Sequence, residues 1–242
     1  MYKQWAAFKS SPFFFYRTMP IIVDKEKKKK QLIAVAADVF TKKGFHATRM
    51  QEIATSAGVA KGTLYEYFAT KEDLFLAIYD SWICAYEQSL NKRFSEAEDA
   101  LERTDAIRIS AIEFYTSHIN HAPLLLEFWA HALRSEDDRF LQRVRTLQTE
   151  LVGHGKTITK EMVNSEFFNN VDAQSFTLLE SGISDGIFLV WAMSGGTFSL
   201  SKAYEFRQSL IGLGLLSNDA RLLIGNKLQH KLSEGFLDEQ NS

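Results

Sequence analysis

Two short apolar-faced segments hinged on a glycine constrain this chain more than any other feature. Ile53, Ala54 and Ala57 repeat at helical spacing, and Val59 and Leu64 follow beyond Gly58. Gly58 suits a left-handed C-cap, so Ala57-Gly58-Val59 predicts a tight turn. Upstream, Thr48-Arg49-Met50-Gln51 has the form of a capping box, with Thr48 at the N-cap and Gln51 at N3. Downstream, a short helix is predicted from Lys61 to about Phe68. It starts after Ala60, where Ser would cap better by about 1 kcal/mol. Ala57 is small where the two helices must cross closely. Two short helices around a glycine turn are the sequence form of a helix-turn-helix.

The flanking sequence is helical throughout. The run Lys25 to Lys30 leads into Leu32, Val35, Ala36, Val39 and Phe40, one face of a helix closed by Gly44, with Lys42 and Lys43 in its last turn. Thr70 caps a long amphipathic helix carrying Leu74, Phe75, Ile78 and Trp82, predicted to run to about residue 92. Further helices are predicted at 98–121, 123–134, 137–163, 172–194 and 201–217, with a last one near 218–234. Pro123 sits at a helix start, and Gly195-Gly196 breaks the chain. Only 3 Pro and 13 Gly occur in 242 residues, which favours long helices over a turn-rich β fold. The fold class is therefore all-α, with a three-helix N-terminal unit, a larger helical body, and about nine helices or more in all.

The expected divisions are a flexible extension over 1–24, a helix-turn-helix domain over 25–72, and a helical domain over 73–242. The first twenty residues hold Phe13-Phe14-Phe15-Tyr16 but lack the apolar run and cleavage site of a signal peptide. No apolar run is expected to approach the roughly 18 residues of a membrane span. A single cysteine, Cys84, excludes an internal disulfide and fits a cytoplasmic location.

Charge separates the same two parts. Residues 1–71 carry 13 Lys+Arg against 5 Asp+Glu, a net +8, while the remainder is net −10. A basic quarter on an acidic body points to a small anion-binding part, with nucleic acid as the first candidate and a membrane surface as its competitor.

The string Gln51-Glu52-Ile53-Ala54, then Ala57-Gly58-Val59-Ala60-Lys61-Gly62-Thr63-Leu64-Tyr65-Glu66-Tyr67-Phe68, then Lys71-Glu72-Asp73-Leu74 resembles the N-terminal domain of the TetR family of bacterial transcriptional regulators. The likeness is dense over about residues 27–80 and weaker beyond 90. It implies an all-α homodimer with a ligand-binding C-terminal domain. On this reading the partners are a double-stranded DNA operator, a small-molecule effector and a second copy of the chain, with no membrane.

The residues agree with that mechanism. Lys61 stands at the start of the second short helix, where it can reach phosphate or a guanine edge. Gly62 lets backbone approach DNA. Thr63 offers a hydroxyl and a methyl to a base edge. Tyr65 suits sugar or thymine and Tyr67 suits phosphate, each with partial core packing as the alternative. Thr48 and Lys71 are expected at helix N-termini that favour phosphate, and Arg49 is assigned to the same interface. Glu66 either accepts from cytosine or faces solvent.

In the body, Trp82, Tyr86, Phe114, Tyr115, His118, Phe128, Trp129 and Trp191 are candidates for an effector pocket, against the alternative of ordinary core. His118, His121 and His131 lack a metal-ligand pattern, so no metal and no cofactor is expected. No nucleophile–base spacing, Walker motif or HExxH is present, so the chain reads as a binding protein rather than an enzyme, with no catalytic residues.

The dimer interface is expected from Leu179, Gly182, Ile183, Gly186, Ile187 and Val190 on one helix and Phe206, Leu210 and Leu213 on the next, with the two glycines allowing close approach. The function expected is a ligand-responsive repressor that binds a palindromic operator as a dimer and is released by a small, largely apolar effector. The alternative is a helical ligand carrier whose basic domain touches a membrane surface.

Overall fold

The computed structural model describes residues 24–219 and residue 222, apart from the side chains of 211–213. The expected extension before residue 24 and nearly all of the expected helix at 218–234 lie outside the described residues. Nine α-helices occur among the described residues: α1 (Lys25–Lys43), α2 (Met50–Ser56), α3 (Lys61–Tyr67), α4 (Lys71–Glu96), α5 (Ala100–Ser117), α6 (Ala122–Arg134), α7 (Asp138–Asn164), α8 (Ala173–Met193) and α9 (Leu200–Leu215). A short 3-10 turn, Ile119–His121, joins α5 to α6.

Local signals explain most of these ends. The Asp24 carboxylate accepts from the Glu26 and Lys27 N–H groups at 3.1 Å, which stabilises the start of a helix crowded with lysines. Gly44 ends α1 at φ 81°, and Gly58 ends α2 at φ 64°, both in the left-handed region that glycine tolerates. Thr70 and Asp73 form a reciprocal capping box at α4, each bond 3.0 Å.

The capping of α2 differs from expectation. Thr48 is buried, and its hydroxyl donates to the Gly44 carbonyl at 2.7 Å. That bond closes the preceding turn and removes the oxygen from the helix end. The N-cap is Arg49, whose N–H donates to Glu52 at 2.9 Å. The box therefore uses Glu52 in place of Gln51. At α3 the N-cap is Ala60, with no side-chain bond.

One apolar core runs through both parts. Leu32, Phe40, Ile53 and Leu64 belong to the same buried cluster as Leu124, Phe128, Phe140 and Trp191. Phe45 stacks on Phe75 with ring centroids 4.4 Å apart, and Tyr79 stacks on Phe128 at 3.9 Å. The expected division at 72/73 falls inside α4, so that helix belongs to both parts.

The expectation about apolar runs is also corrected. By length and composition, α8 is apolar enough to cross a membrane. Its sequence is interrupted by Glu180 and Asp185, and its exposed apolar residues Leu178, Leu179, Leu189, Val190 and Met193 lie on one side. A helix of that kind needs a partner for one face only.

Candidate functional site

The first candidate surface is the exposed side of α2 and α3. Arg49, Lys61, Gly62 and Tyr65 are exposed there, while Thr63 and Tyr67 are half-buried. Leu64 and Phe68 face inward and hold α3 on the core. Lys61 Nζ lies 5.6 Å from the Tyr65 ring centroid, one helical turn away. A Cβ at Gly62 would meet nothing within 4 Å, so the open space there faces outward. Lys43 pairs with Glu52, and that contact holds the Glu52 carboxyl below the usual carboxylate range. It ties α1 to α2.

Lys71 has a different role from the phosphate contact expected of it. Its ammonium donates to the carbonyls of Phe45 at 2.8 Å, Thr48 at 3.2 Å and His46 at 3.3 Å. It also lies 4.4 Å from the Phe45 ring centroid. Its three protons thus staple the loop after α1 to the first turn of α4. Thr48, buried and bonded to Gly44, is likewise a structural residue here.

The second candidate site is a cavity of about 920 Å³ among α4 to α9. Its walls include Tyr79, Ile83, Tyr86, Ile107, Phe114, Tyr115, Leu125, Trp129, Leu147, Met162 and Phe176. Of the eight expected pocket residues, Tyr86, Phe114, Tyr115 and Trp129 line it. Phe128 is core, stacked on Tyr79. Trp191 is buried with its indole N–H donating to the Phe198 carbonyl at 3.0 Å. Trp82 packs against His118 and His121. His118 contacts the Phe114 carbonyl through Nδ1 at 2.7 Å, and burial pushes its pKa down. These four are corrected from pocket to packing. Helical spacing places an aromatic inside without saying whether it meets a neighbour or a void.

The cavity also has a polar end that the sequence reading missed. Arg108, Glu180, Ser184, Asp185, Tyr204 and Arg207 line it. Glu180 pairs with Arg207 at 3.3 Å, and burial pushes the Glu180 carboxyl up against that attraction. Burial pushes the Tyr79 and Tyr204 hydroxyls up to about 12, and the protein packed around Asp185 pushes its carboxyl up to about 6 although the residue itself is exposed. The signal available was the pair of acids inside an otherwise apolar helix.

The expected dimer residues divide. Leu179, Val190, Phe206 and Leu210 are exposed, and Gly182 and Gly186 would each accept a Cβ with nothing within 4 Å. Ile183 is half-buried, Ile187 packs on the core, and the Leu213 side chain lies outside the described residues. Close helix approach within the chain occurs instead at Gly155 of α7, where a Cβ would sit 2.5 Å from Thr177 Cγ2 of α8.

A helix-turn-helix on an all-helical body with an internal apolar cavity defines a class of DNA-binding regulators. Residues 32–78 match the family model described as bacterial regulatory proteins, tetR family. The HTH-type transcriptional regulator BetI of Brucella anthropi is 31% identical over 202 residues, covering 82% of this chain and 98% of that protein. The chain belongs to the TetR family of helix-turn-helix transcriptional regulators, which are not enzymes. The HTH-type transcriptional activator FasR of Mycolicibacterium smegmatis is 31% identical over 97 residues, 40% of this chain and 42% of that protein, so this match spans under half of the relative. A TetR regulator from Haloarcula marismortui shares the fold, with a TM-score of 0.70 at 20% identity over 79% of this chain and 100% of that one.

Proposed function

We propose that this protein is a cytoplasmic repressor that binds a palindromic operator as a homodimer and is released by a small, largely apolar effector. The observation that carries the effector reading is the span of α4. Its first turn holds Lys71, stapled to the loop that leads into α2, and its middle carries Tyr79, Ile83 and Tyr86 in the cavity wall. A ligand that swells the cavity tilts α4 and, through that staple, moves the helix-turn-helix. Operator affinity falls because the ligand binds the DNA-incompetent arrangement better.

DNA is contacted by Arg49, Lys61, Gly62, Thr63, Tyr65 and Tyr67. The two-fold contact uses the exposed apolar residues of α8 and α9 in a four-helix arrangement, since one short recognition helix reads too few bases alone. The test begins with a duplex selected from randomised inverted repeats. Binding should be dimeric, salt-dependent and far tighter than to random DNA. Equal affinity for random duplex, or binding to anionic vesicles in preference to DNA, overturns the reading.

A further inference from the structure

The charges around the cavity do not balance. Arg207 is held by Glu180 at 3.3 Å and Arg108 by Asp105 at 2.9 Å, so both cations lining the cavity are already neutralised. Asp185 lines the same cavity at its solvent-exposed side and has neither an ion pair nor a hydrogen bond to its carboxylate among the described residues. One Glu180 oxygen, Oε1, is buried and also lacks a partner. The polar end therefore carries uncompensated negative charge.

Aromatic rings line the cavity with it, among them Tyr79, Tyr86, Tyr115 and Tyr204. Tyr115 is fixed by stacking on Phe188 at 4.1 Å, and Trp129 meets the same ring edge-on at 5.8 Å. Aromatic faces attract cations, and the attraction grows where water is excluded. The rest of the wall is apolar.

We propose that the effector is an organic cation, with an ammonium head set against Asp185 and the tyrosine rings and an apolar body along Ile83, Leu125, Leu147 and Met162. The proposal rests on the effector reading above and names its ligand class. A carboxylate ligand would find both arginines already paired and would face Asp185. A neutral ligand seated over Asp185 would strip water from its carboxylate without pairing it, which costs free energy that a cation recovers. The volume lies within the range of small-molecule sites, about 300–1,000 Å³.

The test uses the full chain and three probes with one tail, each below its micelle concentration: decyltrimethylammonium, 1-decanol and decanoate. Calorimetry at pH 7.5 should rank the cation at least tenfold tighter than the alcohol, with decanoate weakest. Asp185→Asn should weaken the cation about tenfold and leave the alcohol within twofold. Asp185→Glu should recover most of the loss, and circular dichroism checks that both variants fold. Decanoate binding as tightly as the cation, or Asp185→Asn affecting all three equally or none, overturns the cation assignment. If the alcohol and decanoate bind and release the selected duplex while the cation does not, the assignment falls and the effector reading stands. If none of the three binds, both fall together.

Discussion

The Glu127 carboxylate accepts the Phe45 backbone N–H through both oxygens, each at 3.0 Å, across 82 positions of sequence. It links α6 to the loop before the helix-turn-helix, next to Gly44, where a Cβ would meet the same carboxylate at 3.7 Å. Glu127→Ala leaves that N–H without its acceptor. The expected cost is about 1–3 kcal/mol, and chemical denaturation should read it as a lower midpoint with an unchanged slope.

Lys71 and Lys61 should separate fold from recognition. Lys71→Met gives up three carbonyl bonds and should destabilise by about 1–3 kcal/mol. The log–log salt dependence of duplex binding should stay as in the wild type, because those protons are used within the chain. Lys61→Ala should leave the melting temperature nearly unchanged and lower the salt slope by about one unit. Reversed effects would return Lys71 to the phosphate contacts.

Two glycines should behave oppositely. Gly155→Ala drives a methyl against Thr177 Cγ2 and should cost about 1–3 kcal/mol in thermal unfolding. Gly62→Ala meets no neighbour and should leave stability within about 0.5 kcal/mol while weakening duplex binding.

Asp185 should oppose folding near neutral pH. The protein packed around this exposed carboxyl raises its folded-state pKa to about 6 from its ordinary 3.8. Below pH 3.8 both states hold the proton and the group contributes no difference. Between 3.8 and about 6 the unfolded chain ionises first, so stability falls as pH rises, and above 6 the full penalty is present. Asp185→Asn should therefore raise the melting temperature at pH 7.5 and hardly change it at pH 4. Discounted for solvent that reaches the cavity, the gain is about 1 kcal/mol, or about 2–4 °C. The other ionisable groups at the cavity are Tyr79 and Tyr86 on α4, Arg108 and Tyr115 on α5, Glu180 on α8, and Tyr204, Glu205 and Arg207 on α9. They are common to variant and wild type, so the difference isolates Asp185. An equal gain at both pH values would contradict this account.

The exposed apolar face sets the last expectation. Val190 and Phe206 are 59% and 67% exposed, so a charge on either costs the single chain little. Val190→Glu with Phe206→Glu should give monomers in sedimentation with wild-type helical content and lost operator binding. A variant that stays dimeric moves the two-fold contact off α8 and α9.

The helices and the turn at Gly58 were legible because they depend on neighbours in the chain. Periodicity, the caps at Thr70, Gly44 and Gly58, and the small residue at Ala57 act over a few positions, and the observed helix ends fall within a few residues of expectation. Lys61, Gly62 and Tyr65 were legible as surface residues from the local pattern around the inward-facing Leu64, and all three are exposed. Tertiary structure decided what each inward residue meets. Phe128 and Tyr86 are alike in sequence terms, yet one stacks in the core and the other walls a cavity. Lys71 looked free until three carbonyls from twenty-odd residues earlier converged on it, and Gly155 looked incidental until α8 packed against it. Spacing along a helix determines which way a side chain points, whereas voids, staples and close approaches arise only when helices distant in sequence are brought together.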